Sequence, residues 1–462
     1  MTQMMSRRAV CAGLLAAPLI RPGRAAASAP APLTARAASV QLAPPGYGMT
    51  EVWSYDGSLP GPVLRAAQGG RLSRRLVNEL EVPTTVHWHG IRIDNAMDGV
   101  AGLTQEAVPP GGSFDYDFAL PDAGTYWYHA HTNSMEQVAR GLSGPLIVEE
   151  ATPPDVDADE ILMLDDWLID PDTAQFYADF TAPMMRSHAG RMGNLIGVNG
   201  RFDHRLKAGQ NARLRLRLIN AANARIFVLR LQGMEGWTVA LDGMPLASPE
   251  PLVEEIILAP AQRVDLIVDV TAEEGTPAGL LYAADDDSWQ ALVELEVSGR
   301  ASDARRAAPQ PLPRNPRMEI GGLEEATPRE MRMEGGAMRG MASGRFEGRQ
   351  MDFQELIQRG QFWALAGQVG RGADPFARYR LGETARITLV NDTVFPHAMH
   401  LHGMHFRQLN EGAAGPMRDT LLVMPQQSAE IAFVADNPGK WLLHCHMLGH
   451  AASGMSNWIE VV

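Results

Sequence analysis

Val390 to Gly403 reads VNDTVFPHAMHLHG, and Val77 to Gly90 reads VNELEVPTTVHWHG. Laid over each other without a gap, the two stretches share the Val-Asn start, the proline, both histidines of H-x-H and the closing glycine. The segments around them are rich in valine and aromatic residues, as strands are. Residues i and i+2 of a strand share a face, so each H-x-H can aim two imidazoles at one place. GTYWYHAH from Gly124 lies over GKWLLHCH from Gly439 in the same way, again with both histidines matched. The first and last parts of the chain are therefore copies of one unit, each contributing two H-x-H pairs. GQNARLRLRLINAANARIFVLRLQG, from Gly209, has similar strand character and no histidine. It reads as a third copy without ligands.

Of the 13 histidines, ten fall in four short clusters; His188, His204 and His405 lie outside them. Scattered structural histidines would not pair this way, so the clusters point to metal. The copies also differ informatively. Thr84 stands where the last copy has His397, and Ala130 where it has Cys445. With one gap, Leu142 faces Met455. The last copy thus adds a His, a Cys and a Met, with His450 nearby. The only other cysteine is Cys11, inside the N-terminal segment expected to be removed, so an internal disulfide is excluded for the mature chain. Two His, one Cys and a weak axial Met form a blue-copper electron-transfer set, whereas structural zinc takes a closed His/Cys site. Eight neutral imidazoles remain, enough to hold three coppers with positions open to oxygen.

These motifs, in this order and spacing, make nearly all of the mature chain resemble a Tat-exported, three-domain bacterial multicopper oxidase, of the laccase-like, copper-tolerance or manganese-oxidising type. The resemblance implies an all-β fold of three cupredoxin-like Greek-key domains and four copper ions. It gives His397, Cys445, His450 and Met455 to type 1 copper, and His87 and His400 to type 2. His89, His129 and His446 would hold one type 3 copper; His131, His402 and His444 would hold the other. HCH then becomes a wire: Cys445 points to one face of its strand and its two histidine neighbours to the other. A reducing substrate (a phenol, Cu(I) or Mn(II)) delivers electrons singly at the edge of His450 or His397, and O2 is reduced to water at the trinuclear cluster. Asp98, in MDGV, matches a family acid assigned to proton transfer; as a bare motif, Asp-Gly is also a turn former. Some relatives carry Glu directly after the histidine matching His450, where this chain has Ala451. A copper store or scaffold on the same fold is the alternative function, although scaffold relatives have lost ligands.

The rest of the sequence is compatible with this reading. Ser6-Arg7-Arg8 before the apolar run 9–20 resembles a twin-Arg export signal, expected over 1–30, which would imply a periplasmic protein. That run is too short to span a membrane. A net charge of −14 argues against nucleic acid as a partner. Expected units are 38–150, 155–298 and 350–462, with 299–349 as a linker. The linker contains Met331, Met333, Met338 and Met341, soft donors suited to Cu(I) or simply part of a Met-rich chain. Met184, Met185 and Met192 around His188 read as packing, and His405 as a neighbour of the ligands or a surface residue. O2 and a small reductant are the expected partners of a monomer.

Overall fold

The computed structural model describes residues 29–286, 288–410 and 412–462. Residues 1–28, which hold most of the expected export signal, lie outside it. Three strands show why the chain is built in triplicate. Arg71–Asn78, Arg213–Asn220 and Thr384–Asn391 each end on a buried asparagine. Asn78 donates to the Val82 and Val108 carbonyls and accepts from the Leu80 N–H. Asn220 donates to Arg225 and Leu258 and accepts from Ala222. Asn391 donates to Phe395 and Val423 and accepts from Thr393. A buried amide cannot be left unpaired without cost, so one corner built three times marks three copies of one unit.

Each unit pairs two sheets. In the first, Thr50–Tyr55, Ala31–Val40, Arg71–Asn78 and Ser113–Ala119 form one sheet, in that order; Leu64–Ala67, Ser143–Glu149, Gly124–Ala130 and Val86–His89 form the other. Trp88 of the second sheet packs on Tyr116 and Phe118 of the first. The middle and third units each have a six-stranded and a five-stranded sheet. Alternation places the core: in Thr384–Asn391, Ala385, Ile387 and Leu389 are buried between half-exposed neighbours. One hydrophobic cluster joins the first and third units, while the middle unit has its own. The junction of the two His-bearing copies is therefore part of the continuous core.

Two expectations need correction. The first unit already pairs strands from Ala31, not from about residue 38. The interval 299–349 is not a linker throughout. Pro328–Gly335 is a strand between Trp363–Leu365 and Thr384–Asn391 in the third unit's larger sheet. Met331 and Met333 are fully buried in the core, while Met338 is 74% exposed. The reason lies in E-M-R-M-E: thioether side chains alternate with charges at strand period, so two methionines serve as core residues. Among the described residues, no helix is long and apolar enough to cross a membrane.

Candidate metal centre

The two His-bearing hairpins fold in one register. Val86 pairs with Ala130 and His87 with His129; in the last copy Met399 pairs with Cys445 and His400 with His444. The copies meet face to face. The His87 ring stacks on His402 at 3.9 Å, and His89 stacks on His400 at 3.7 Å, each pair drawn from different copies. Among the described residues, four groups of histidine and cysteine donor atoms result, beside one of Asp98 with His87 and His402, each with its members within 4.8 Å of one another: His87, His89 and His400; His89, His129 and His446; His131, His402 and His444; and His397, Cys445 and His450.

The last group lies inside the third unit. His397 Nδ1 is 3.1 Å from His450 Nδ1, and Cys445 Sγ is 3.6 and 3.7 Å from these atoms. Met455 is fully buried; its carbonyl accepts from the Cys445 N–H and its own N–H donates to the His450 carbonyl. Each imidazole has its other nitrogen engaged. His397 Nε2 meets Thr393 Oγ1 at 2.9 Å, and His450 Nε2 donates to the His188 carbonyl at 2.6 Å. Such partners orient a metal-binding histidine. Burial pushes the Cys445 thiol up to about 12, so a thiolate there needs a cation beside it.

Six of the remaining eight histidines also have one nitrogen held by a backbone carbonyl or a carboxylate, and His131 and His446 do not. His87 and His400 donate from Nδ1 to the Asp98 and Asp419 carbonyls, at 2.8 and 3.0 Å, leaving Nε2 of each buried with no protein partner. His89 Nδ1, His131 Nε2 and His446 Nδ1 are likewise unpartnered. His129 and His444 donate from Nδ1 to the Ala130 and Cys445 carbonyls. Their Nε2 atoms face His446 Nε2 at 3.4 Å and His402 Nε2 at 3.2 Å. Burial, and then the neighbouring imidazoles, hold His129, His131, His402 and His446 well below the ordinary histidine range. They are neutral, the form that binds metal. Orphaned buried nitrogens in a neutral, convergent imidazole cluster fit soft or borderline cations with open coordination positions.

Two carboxylates hold the cluster from opposite sides. Asp98 reaches His402 Nδ1 at 3.0 Å while its carbonyl holds His87. Asp419 Oδ1 lies 3.3 Å from His89 Nε2 while its carbonyl holds His400. Each acid thus serves one histidine of its own copy and one of the other. Asp419 escaped the sequence reading, although the pairing of Asp98 with the first H-x-H was a signal to search after the last one. His405 is buried, its Nε2 3.7 Å from Asp419.

Access differs at the two ends. His397 and His450 are fully buried, and the His188 carbonyl covers His450, so the expected open histidine edge is absent. The cover comes from the middle unit: Pro183–Ser187 is a short helix whose Arg186 donates to the Ala452 carbonyl. Over the larger cluster, a cavity of about 290 Å³ is lined by His131, His444, Arg371, Leu448 and Ser456 among others.

Comparison with known proteins agrees with this chemistry. Two multicopper oxidase family models match residues 36–153 and 348–462. Multicopper oxidase MmcO of Mycobacterium tuberculosis is 30% identical over 94% of this chain and 87% of its own length. The crystal structure of a multi-copper oxidase from Pseudomonas thermotolerans superposes with a TM-score of 0.80 at 34% identity, covering 93% of this chain and 98% of that one. Lac15, from a marine microbial metagenome, gives 0.75 at 40%, covering 94% and 100%. The three units are cupredoxin-like, and the histidine groups suit the four coppers of the family. With fold, donor chemistry and relatives in agreement, the chain belongs to the multicopper oxidases, copper-dependent oxidoreductases that pass electrons from a reducing substrate to O2.

Proposed function

We propose that His397, Cys445, His450 and Met455 hold the type 1 copper, and His87 and His400 the type 2 copper. His89, His129 and His446 hold one type 3 copper, and His131, His402 and His444 the other. The observation that carries this assignment is the thiol–imidazole triangle at 3.1–3.7 Å, one covalent step from His444 and His446. Copper bound there would supply one-electron redox steps, and four electrons with four protons reduce O2 to two waters. The chain's part is to place and insulate the copper. Cys445 joins the two sites through its own backbone, and both histidine neighbours face the cluster. Asp98, fully buried, holds the His402 Nδ1–H and is placed to pass a proton there, in a chain with Ala451 where some relatives have Glu.

The covered His450 bears on the donor. Electrons enter across the 183–192 segment, not by direct contact with the imidazole. Met184 (65% exposed) and Met192 (43% exposed) lie four residues either side of His188, so a soft ion such as Cu(I) suits the inlet better than a bulky phenol. Buried Met331 and Met333 take no part in delivery. The protein acts as an exported, periplasmic monomer. Oxygen uptake by copper-loaded protein tests the reading. Cu(I) should be oxidised faster than a bulky phenol, and Met184→Ser with Met192→Ser should slow Cu(I) alone. Equal losses with both donors would remove the methionines from the inlet, and absence of oxygen uptake with every donor would favour a copper store.

A further inference from the structure

The middle unit contributes no histidine to the metal groups, yet its Arg263 is fully buried beside them. Its guanidinium bonds to all three units. Nη1 and Nη2 donate to the two Asp419 carboxylate oxygens at 2.8 and 2.5 Å. Nε donates to the Thr125 carbonyl at 3.2 Å, on the strand that carries His129. Nη1 and Nη2 also reach the Ala261 and Asp242 carbonyls of the middle unit. Asp242 completes the frame from behind: Oδ1 accepts the Arg263 N–H, and Oδ2 accepts the N–H groups of Asp419 and Thr420. Little slack remains, because a Cβ on Gly90, the residue after His89, would lie 2.3 Å from Arg263 Nη2 and 2.7 Å from Asp419 Oδ2.

We propose that Arg263, seated by Asp242, is a positioning residue that fixes Asp419 and, through it, His89 and His400 of the trinuclear cluster. This rests on the ligand assignment above. A buried ion pair is weak evidence for stability, since desolvation opposes the attraction, so its placement calls for another account. Here the Asp419 carboxylate lies 3.3 Å from both His89 Nε2 and His400 Nδ1 and 3.7 Å from His405 Nε2, and the Asp419 carbonyl accepts from His400. Only a planar fork can bond both Asp419 oxygens and three carbonyls at once; a lysine ammonium offers three donors from a single point. The ligandless unit is thus part of the metal centre, which explains how two copies from opposite ends of the chain keep one geometry.

The test uses the copper-loaded full chain and three variants. In Arg263→Lys, the apparent affinity of the trinuclear site for copper should fall ~10–100-fold, as for other lost outer partners of metal ligands. The type 2 hyperfine splitting should change, and the type 1 absorbance should stay, since no bond from Arg263 reaches that site. Arg217→Lys is the control. Arg217 is equally buried, bonds to Thr125 Oγ1 and pairs with Asp159 and Asp265, with no bond to a histidine or to Asp419. Its type 2 signature should match the parent. Asp242→Asn keeps Arg263 and every histidine, and should shift the type 2 signal even if Arg263→Lys does not fold. Loss of type 2 copper in Arg217→Lys as large as in Arg263→Lys would reduce Arg263 to ordinary interface packing. Parent-like affinity and splitting in Arg263→Lys and Asp242→Asn would overturn the proposal. A parent chain with no type 2 signal would overturn the ligand assignment, and this inference with it.

Discussion

The pocket that gathers His397, Cys445, His450 and Met455 has a counterpart in the first unit, built at the same strand positions from other residues. There Thr84, Ala130 and Leu142 replace His397, Cys445 and Met455. Gln137, on the helix Ser134–Ala139, occupies the role of His450, on the helix Leu448–Ala451. In the third unit His397 and His450 approach each other at 3.1 Å; in the first, Thr84 Oγ1 donates to Gln137 Oε1 at 2.7 Å. Gln137 Nε2 then donates to the Pro83 carbonyl, which closes the arrangement without a metal. One pocket satisfies its polar atoms internally and the other leaves donors converging. The fold tolerates both, so metal binding here is a matter of side-chain chemistry laid over a common frame.

The largest break should come from removing the thiol. Cys445→Ser should abolish the blue colour and reduce oxidase activity to background, while three coppers still bind. Visible absorption, oxygen uptake and copper per chain measure this. A blue and active serine variant would show that the third-unit pocket is not the type 1 site.

His450→Gln makes the third pocket resemble the first and should weaken type 1 copper. It also carries a pH signature in the metal-free protein. Burial lowers the His450 pKa to about 4, from an unfolded value near 6.5. The unfolded chain therefore binds more protons between these values, and the wild type loses stability as pH falls through that window. The glutamine variant should escape this loss, a relative gain of about 3 kcal/mol at pH 4. Denaturant unfolding of both apo proteins at pH 7 and pH 4 checks it; a pH-independent difference would refute the titration.

Thr84→Val breaks the first pocket instead. It removes the donor to Gln137 Oε1, a buried atom, and should cost about 1–3 kcal/mol. Copper content and colour should not change. A loss of type 1 copper would mean that the two pockets are coupled and not independent variations of one frame.

Met455→Leu is the smallest change, since it installs the first-unit residue Leu142. A volume-conserving swap in a core costs less than about 1.5 kcal/mol, so the protein should stay folded and blue. Losing the axial thioether should raise the type 1 potential. Redox titration would expose an unchanged potential, and with it a Met455 that is not axial.

The ten clustered histidines and Cys445 were legible because H-x-H has the period of a strand, and the repeat aligns both pairs without gaps. The place of Gln137 was not, because the segment between Ala130 and Leu142 is two residues longer than its counterpart between Cys445 and Met455. Met331 and Met333 were misread for a different reason. Composition describes 299–349 as polar, whereas burial depends on alternation, and a strand needs only its inward positions to be apolar.

The amino-acid sequence alone determined the repeated unit, the donor set and its division into a thiol-bearing group and an imidazole cluster. These follow from local periods and residue types, which short segments carry in full. The tertiary structure alone decided that Asp419 holds histidines of both copies, that a middle-unit carbonyl covers His450, and that Arg263 meets Asp419 across 156 residues. Such contacts depend on how three folded units pack on one another. That packing is set by the core shared between the first and third units and by the buried ion pairs of the middle unit, not by spacing along the chain.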